Sequence, residues 1–193
     1  MRSERRLARI EASVRQRQPD LTVILENIHD PHNVSAILRS CDAAGVMEVQ
    51  LVYTSEEFPK LGKKSSASAK KWVERRDFKN VTECYKKLHS EGYSIYATHL
   101  SKRTTPLYEL DLRRKVALAF GNEHRGVSED AAELADANFM VPMFGMIQSL
   151  NVSVACAVTL FEAVRQRILA GRYESSALDE KEIRRLVKKW AMK

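Results

Sequence analysis

The chain has 193 residues, 44% of them hydrophobic and 30% charged, a balance that fits one globular domain with a real core and leaves little room for a second. No window approaches the ~18 apolar residues of a membrane helix, and the charged opening MRSERRLARI lacks an apolar signal core, so a cytoplasmic protein is expected. The net charge of +7 suits a polyanionic partner, and its clustering sharpens that reading. Residues 1–17 hold six arginines against two glutamates, 60–76 hold seven basic residues against one acid, and 179–193 hold six against three.

Residues 2–17 predict an amphipathic helix with Leu7, Ile10 and Val14 on one stripe, ending before Pro19. Leu21 to Leu25 is a β-branched strand, followed by a polar loop through Pro31. Val34, Ile37, Leu38 and Cys41 then repeat at helical spacing, Gly45 marks the helix end, and Asn33 is the expected cap. Arg39 falls inside this apolar helix, where an unpaired buried charge would be costly, so a functional role is expected for it. Strands are predicted at Val49–Tyr53, Ser94–Thr98, Val116–Phe120 and Phe139–Val141, and helices at Val81–His89, from Ser128 onward and at 179–191. The lysine-rich stretch Lys60 to Lys71 reads as a polar connection.

The stretch Phe139 to Val164 organises the rest. Pro142 stops a short strand, the loop Met143 to Leu150 carries Gly145, and Ser149 and Asn151 stand where a helix is capped. From Val152 to Val164 almost every residue is apolar, which predicts a helix buried on several sides. Strands alternating with helices indicate a mostly parallel α/β sheet, in which ligands gather beyond the carboxyl ends of strands. The loops at Thr98–Ser101, Gly121–Gly126 and Pro142–Leu150 occupy that position and predict a pocket.

Several chemistries find no support. Neither a dinucleotide fingerprint nor a phosphate loop occurs. His29 and His32 stand in a loop without further metal ligands, so no metal is expected. Glu123-His124 lacks a partner nucleophile for hydrolysis. Cys41, Cys84 and Cys156 are widely spaced and fit free thiols in a reducing compartment.

Three segments, NVSAILRSCDAAG, FGNEHRGVS and VPMFGMIQSLNVSVA, resemble in order the three motifs of the SpoU/TrmH branch of the SPOUT RNA methyltransferases, across residues 18–167. The segment QPDLTVILENIHDPHNVSAILR and the short helical extensions at 1–17 and 172–193 are most similar to the tRNA guanosine 2′-O-methyltransferases of that branch. The resemblance implies a single 1–193 SPOUT domain with a carboxyl-terminal trefoil knot, acting as a homodimer. It implies methylation of the ribose 2′-hydroxyl of guanosine 18 in the tRNA D-loop with S-adenosyl-L-methionine as methyl donor. Thr98, Leu100, Gly121, Val141, Met143, Ile147, Ser149 and Leu150 fall where the family's loops hold the cofactor.

The resemblance also makes Arg39 the catalytic residue, often assigned as the base. A guanidinium stays protonated in proteins, so the alternative is that it grips the adjacent phosphate and lowers the hydroxyl pKa. Asn33 would orient Arg39 and the ribose, Glu123 would fix the loop and the arginine, and Ser149 and Asn151 would bond substrate or hold Arg39, although capping explains Asn151 as well. The basic stretches would contact tRNA phosphates. Two rival readings remain: a 2′-O-methyltransferase acting on ribosomal RNA, and a non-catalytic RNA-binding protein on the same scaffold.

Overall fold

The computed structural model describes residues 4–61, 71–100 and 104–193. Most of the lysine-rich segment, and Ser101 at the end of one predicted loop, lie outside the described residues. Seven strands form one sheet: β1 (Leu21–Glu26), β2 (Glu48–Val52), β3 (Glu74–Phe78), β4 (Ser94–Thr98), β5 (Thr104–Pro106), β6 (Val116–Phe120) and β7 (Ala137–Met140). Their order is β3-β2-β1-β6-β4-β7-β5, and every pairing is parallel. Among the described residues six α-helices accompany them: α1 (Glu4–Arg15), α2 (Pro31–Ala43), α3 (Val81–Ser90), α4 (Glu129–Leu134), α5 (Val152–Leu169) and α6 (Glu180–Ala191).

The sheet is covered on both faces, which is why its central strands are continuous apolar runs. Leu21, Val23 and Leu25 of β1 and Val116, Leu118 and Phe120 of β6 face α2 and α5, with Phe120 edge-on to Phe139 at 6.2 Å. The alternate positions Ile24, Ala117 and Ala119 face α3 and α4. Alanines on that side let two short helices sit close. A third cluster joins α1 and α6 through Ile10, Val14, Ile183, Leu186 and Trp190, with Met47 and Trp72 packed against it.

Two polar devices lock the frame. Arg167 near the end of α5 is fully buried, yet its guanidinium donates to Asp20 Oδ1 at 2.5 Å, Gln18 Oε1 at 3.0 Å and the carbonyls of Leu112 and Arg114 at 3.0 and 2.6 Å. Those bonds tie α5 to the chain entering β1 and β6. Gly45 ends α2 with φ +81°, and a Cβ there would stand 2.8 Å from the Gln16 carbonyl oxygen.

Four expectations need correction. The cap of α2 is Asp30, whose side chain accepts from the His32 amide, with Pro31 as the first helical residue; Asn33 lies within the first turn. Arg39 is exposed, because it stands off the Val34, Ile37, Leu38, Cys41 stripe that faces the core. Helix α5 is not buried all round: Val154, Phe161 and Ile168 are about half exposed at spacings of seven residues, a stripe along one face. Arg17, counted in the amino-terminal basic cluster, is buried beneath Trp190, donates to the Val46 carbonyl at 2.9 Å and pairs with Asp42.

Strands β3 and β5 were not legible in the sequence. The first, ERRDF, alternates half-buried and exposed side chains, and the second spans only three residues at the sheet edge.

Candidate active site

The parallel order places the carboxyl ends of β1, β6, β4 and β7 side by side, so the loops that follow them are neighbours. After β7 comes the irregular segment 141–150, and Asn151 then caps α5, its Oδ1 accepting from the Ser153 amide at 2.9 Å and the Ser153 hydroxyl at 2.6 Å. The Asn151 Nδ2 donates to Asn33 Oδ1 at 3.0 Å. Asn33, almost fully buried in the first turn of α2, donates in turn from Nδ2 to Glu123 Oε1 at 2.9 Å. An early helix, the loop after β6 and the start of the late helix are thereby joined by one chain of hydrogen bonds.

The Glu123 carboxylate also accepts from the amides of His29 and Asp30, both at 3.1 Å. Burial alone would raise its pKa, but the bonds from Asn33, from its own amide and from those of His29 and Asp30 outweigh this and hold it below the ordinary carboxylate value. Glu123 is therefore an anion at neutral pH, and its oxygens are already engaged.

Gly121 explains how the loop folds back on itself. A Cβ there would come within 2.1 Å of the Gly126 carbonyl and the Val127 nitrogen, so only glycine fits beneath the turn closed by the Gly126 amide on the Asn122 carbonyl at 2.8 Å. Thr98 ends β4, and its hydroxyl donates to the Ala119 carbonyl of β6 at 3.1 Å. The His99 amide donates to the Phe139 carbonyl at 3.2 Å, stitching the loop after β4 to β7. Val141 packs on the core, Met143 and Leu150 are half-buried, and Ser149 is exposed. Leu100 and Ile147 are 68% and 69% exposed, apolar side chains without apolar cover.

The structure thus links Glu123 and Asn151 through Asn33, which bonds both, and sets Thr98, Gly121 and Val141 at the ends of three adjacent strands. It does not join Arg39 to them. Asn33, Glu123 and Asn151 bond one another and nearby backbone, and among the described residues no ion pair reaches Arg39, six residues or about 9 Å along the helix from Asn33. The amides of His29 and Asp30, and Asn27 and Asn122 behind them, were missed in the sequence, because a backbone donor leaves no signature in residue type.

The chain matches the model of the SpoU rRNA methylase family over residues 20–161. It belongs to the SpoU methylase family. A tRNA (guanosine(18)-2′-O)-methyltransferase of Thermus thermophilus is 46% identical over 192 residues, covering 100% of this chain and 98% of the relative. The enzyme of the same description from Escherichia coli is 42% identical over 184 residues, 94% of this chain and 80% of the relative. Among solved structures, the Aquifex aeolicus TrmH/SpoU tRNA modifying enzyme superposes with a TM-score of 0.91 at 39% identity, covering 98% of this chain and 96% of that one. The likeness to these SpoU methylases covers nearly the whole chain in sequence and in fold.

Proposed function

We propose that this chain methylates the ribose 2′-hydroxyl of guanosine 18 in the tRNA D-loop, with S-adenosyl-L-methionine as methyl donor. The observation that carries the reading is the Asn151–Asn33–Glu123 line at the mouths of adjacent strands, in a chain alignable over its whole length with relatives described by that activity. The loops suit the donor. Leu100, Ile147 and the half-buried Met143 and Leu150 present apolar surface for an adenine ring, and Thr98, Gly121, Val141 and Ser149 sit on the same loops to hold the rest. S-adenosylmethionine would supply a methyl group on a sulfonium, a leaving group that needs no further activation.

The protein's share is to place the ribose oxygen in line with that methyl and to ease loss of its proton. Positioning of this kind accounts for up to about 7–11 kcal/mol of a barrier. The Arg39 guanidinium grips the phosphate beside the target ribose, its positive charge favouring the alkoxide as the O–CH3 bond forms. Asn33 and Asn151 hold the neighbouring polar surface, and Glu123 fixes the loop that carries it. Exposed Arg5 and Arg9 on α1 and Arg184 and Lys188 on α6 would contact phosphates without reading sequence.

The active form in this reading is a homodimer. Phe144 and Met146 are 97% and 98% exposed and lie beyond the strand that leads to α5, whose own face carries Val154, Phe161 and Ile168, far more uncovered apolar surface than a monomer usually presents. The second chain would also bring its own Arg39 towards the Asn33–Glu123–Asn151 line, which among the described residues Arg39 of the same chain does not contact. The strand order supports a trefoil knot: β7 lies between β4 and β5, which are consecutive in the chain, so the segment leaving β7 has to pass the short connection between them. Buried free thiols at Cys41, Cys84 and Cys156 suit a reducing cytoplasm.

The test is incubation with labelled S-adenosylmethionine and, in separate reactions, bulk unmodified tRNA and ribosomal RNA, followed by mapping of the methylated nucleotide, with cofactor and RNA binding measured by calorimetry. Label at guanosine 18 is the expected result. Label only in ribosomal RNA would move the substrate, and RNA binding without cofactor binding would make the protein non-catalytic.

A further inference from the structure

Behind Glu123 stands a residue that nothing above uses. Asn27 follows β1 with φ +51°, the one described non-glycine residue in the left-handed region, which asparagine tolerates better than most. It is 9% exposed and all its polar atoms are engaged. Its Oδ1 accepts from three successive amides, Thr54 at 2.9 Å, Ser55 at 3.2 Å and Glu56 at 3.3 Å, and its Nδ2 donates to the Thr54 hydroxyl at 3.2 Å. Its amide donates to the Val52 carbonyl at 3.0 Å, and its carbonyl accepts from Asn122 Nδ2 at 2.8 Å. Asn122 in turn uses Oδ1 to accept from the amides of His124 and Arg125 at 3.0 and 3.3 Å.

This arrangement has a direct consequence for Glu123. Two residues after Asn27, the His29 amide donates to one Glu123 oxygen, and the Asp30 amide donates to the other. On the far side, Asn122 precedes Glu123 and is held by the Asn27 carbonyl. Both the amides that grip the carboxylate and the turn that carries it are therefore referred to the same residue. The left-handed turn at Asn27 is what sends the chain from β1 towards Glu123 rather than onward along the strand. A second support comes from Tyr53, whose hydroxyl donates to the Ile28 carbonyl at 3.0 Å.

We infer that Asn27 is a positioning residue for methyl transfer: by clamping the turn after β2 and the loop after β6 to the end of β1, it sets where Glu123, and through it Asn33 and Asn151, stand. The inference rests on the methyl-transfer reading. It assigns Asn27 no contact with substrate, and its effect reaches the reaction only through Glu123.

The experiment compares Asn27→Gly, which keeps the backbone turn and the carbonyl's bond to Asn122 and removes the side-chain clamp on Thr54, Ser55 and Glu56, with Asn27→Asp, which keeps the acceptor, each alone and combined with Glu123→Gln. Single-turnover transfer from labelled S-adenosylmethionine to unmodified tRNA is read beside the dissociation constants of both. Asn27→Gly is expected to lower the transfer rate about 100-fold, the scale of an ångström-sized misplacement, with both dissociation constants unchanged. Asn27→Asp should restore most of that loss, and in the Glu123→Gln background Asn27→Gly should add little, because the two act as one unit. A wild-type rate in Asn27→Gly, or losses that multiply in the double variant, would overturn the inference. If the unaltered protein transfers no methyl group, the functional reading fails and the positioning is judged by NMR. Asn27→Gly should then displace the His29 and Asp30 amide resonances as Glu123→Gln does, and unmoved resonances would sink it.

Discussion

Replacing Asn33 by alanine removes the middle of the line that joins α2, the Glu123 loop and α5. Two hydrogen bonds vanish, one neutral from Asn151 and one to a carboxylate, at 3.0 and 2.9 Å. A bond to a charged group contributes about 1.5–3 kcal/mol and a neutral one about 1 kcal/mol. Partial solvent access to Glu123 reduces the first towards its lower end, so the loss should be about 2–3 kcal/mol, a sizeable share of a typical 5–15 kcal/mol. The sign with pH follows from the carboxylate. The folded pKa of Glu123 lies below its ordinary value, so the contribution is complete above the unfolded pKa and fades as the pH falls through the folded one. Urea unfolding of the unaltered and Asn33→Ala proteins should differ by a constant amount from pH 8 to about 5, and below about 4.3 the gap should narrow towards the ~1 kcal/mol of the neutral Asn151 bond. A gap under about 0.5 kcal/mol at pH 7, or one that persists unchanged in acid, would refute the claim that Asn33 holds an ionised Glu123.

Arg39→Ala should leave stability within about 0.5 kcal/mol, since the side chain is exposed, and should keep cofactor affinity while abolishing transfer; calorimetry with single-turnover rates checks both. Arg167→Ala leaves Asp20 and several carbonyls without their buried cation and should cost about 3–5 kcal/mol in urea unfolding. Gly121→Ala forces a methyl into the Gly126–Val127 peptide and should destabilise by about 3 kcal/mol or more, with faster proteolysis of the folded protein as the readout. Phe161→Asp should shift the sedimentation of a dimer to that of a monomer and lower transfer with it, while an unchanged sedimentation coefficient would remove the α5 face from the interface.

How much of this was readable beforehand follows from where each signal resides. Strands β1, β4 and β6 are short apolar or β-branched runs bounded by turns, and their limits were found to within a residue. Ser128 and Asn151 were recognisable as helix starts because their side chains do the capping. The start of α2 was misplaced because Asn33 has the chemistry of a cap while Asp30-Pro31 has its geometry. The exposure of Arg39 was available from spacing alone, since it falls outside the inward stripe, but the apolar character of its neighbours masked it. Strand β3 could not be read from ERRDF, because an edge strand with one wet face need not be apolar. The left-handed turn at Asn27 and the amides on Glu123 belong to backbone conformation, which residue types constrain only weakly.

The hydrogen-bond pattern also narrows the chemistry. A general base needs a free lone pair and a pKa near the working pH. Glu123 fits poorly: both its oxygens already accept, from His29, Asp30 and Asn33, and its pKa is held low rather than raised. The amides of Asn33 and Asn151 do not titrate and are turned toward each other. Proton transfer from the ribose hydroxyl therefore cannot belong to this line, whose office is geometry. Arg39 is exposed and outside this line, and as a guanidinium it is a permanent cation. In the proposed role, a cation there would lower the cost of the alkoxide without itself taking the proton, and a substrate phosphate oxygen or solvent would receive it. A reaction so arranged should show a rate with no titration attributable to Glu123 between pH 6 and 8, and Glu123→Gln should lower the plateau of the pH–rate curve without moving its inflection.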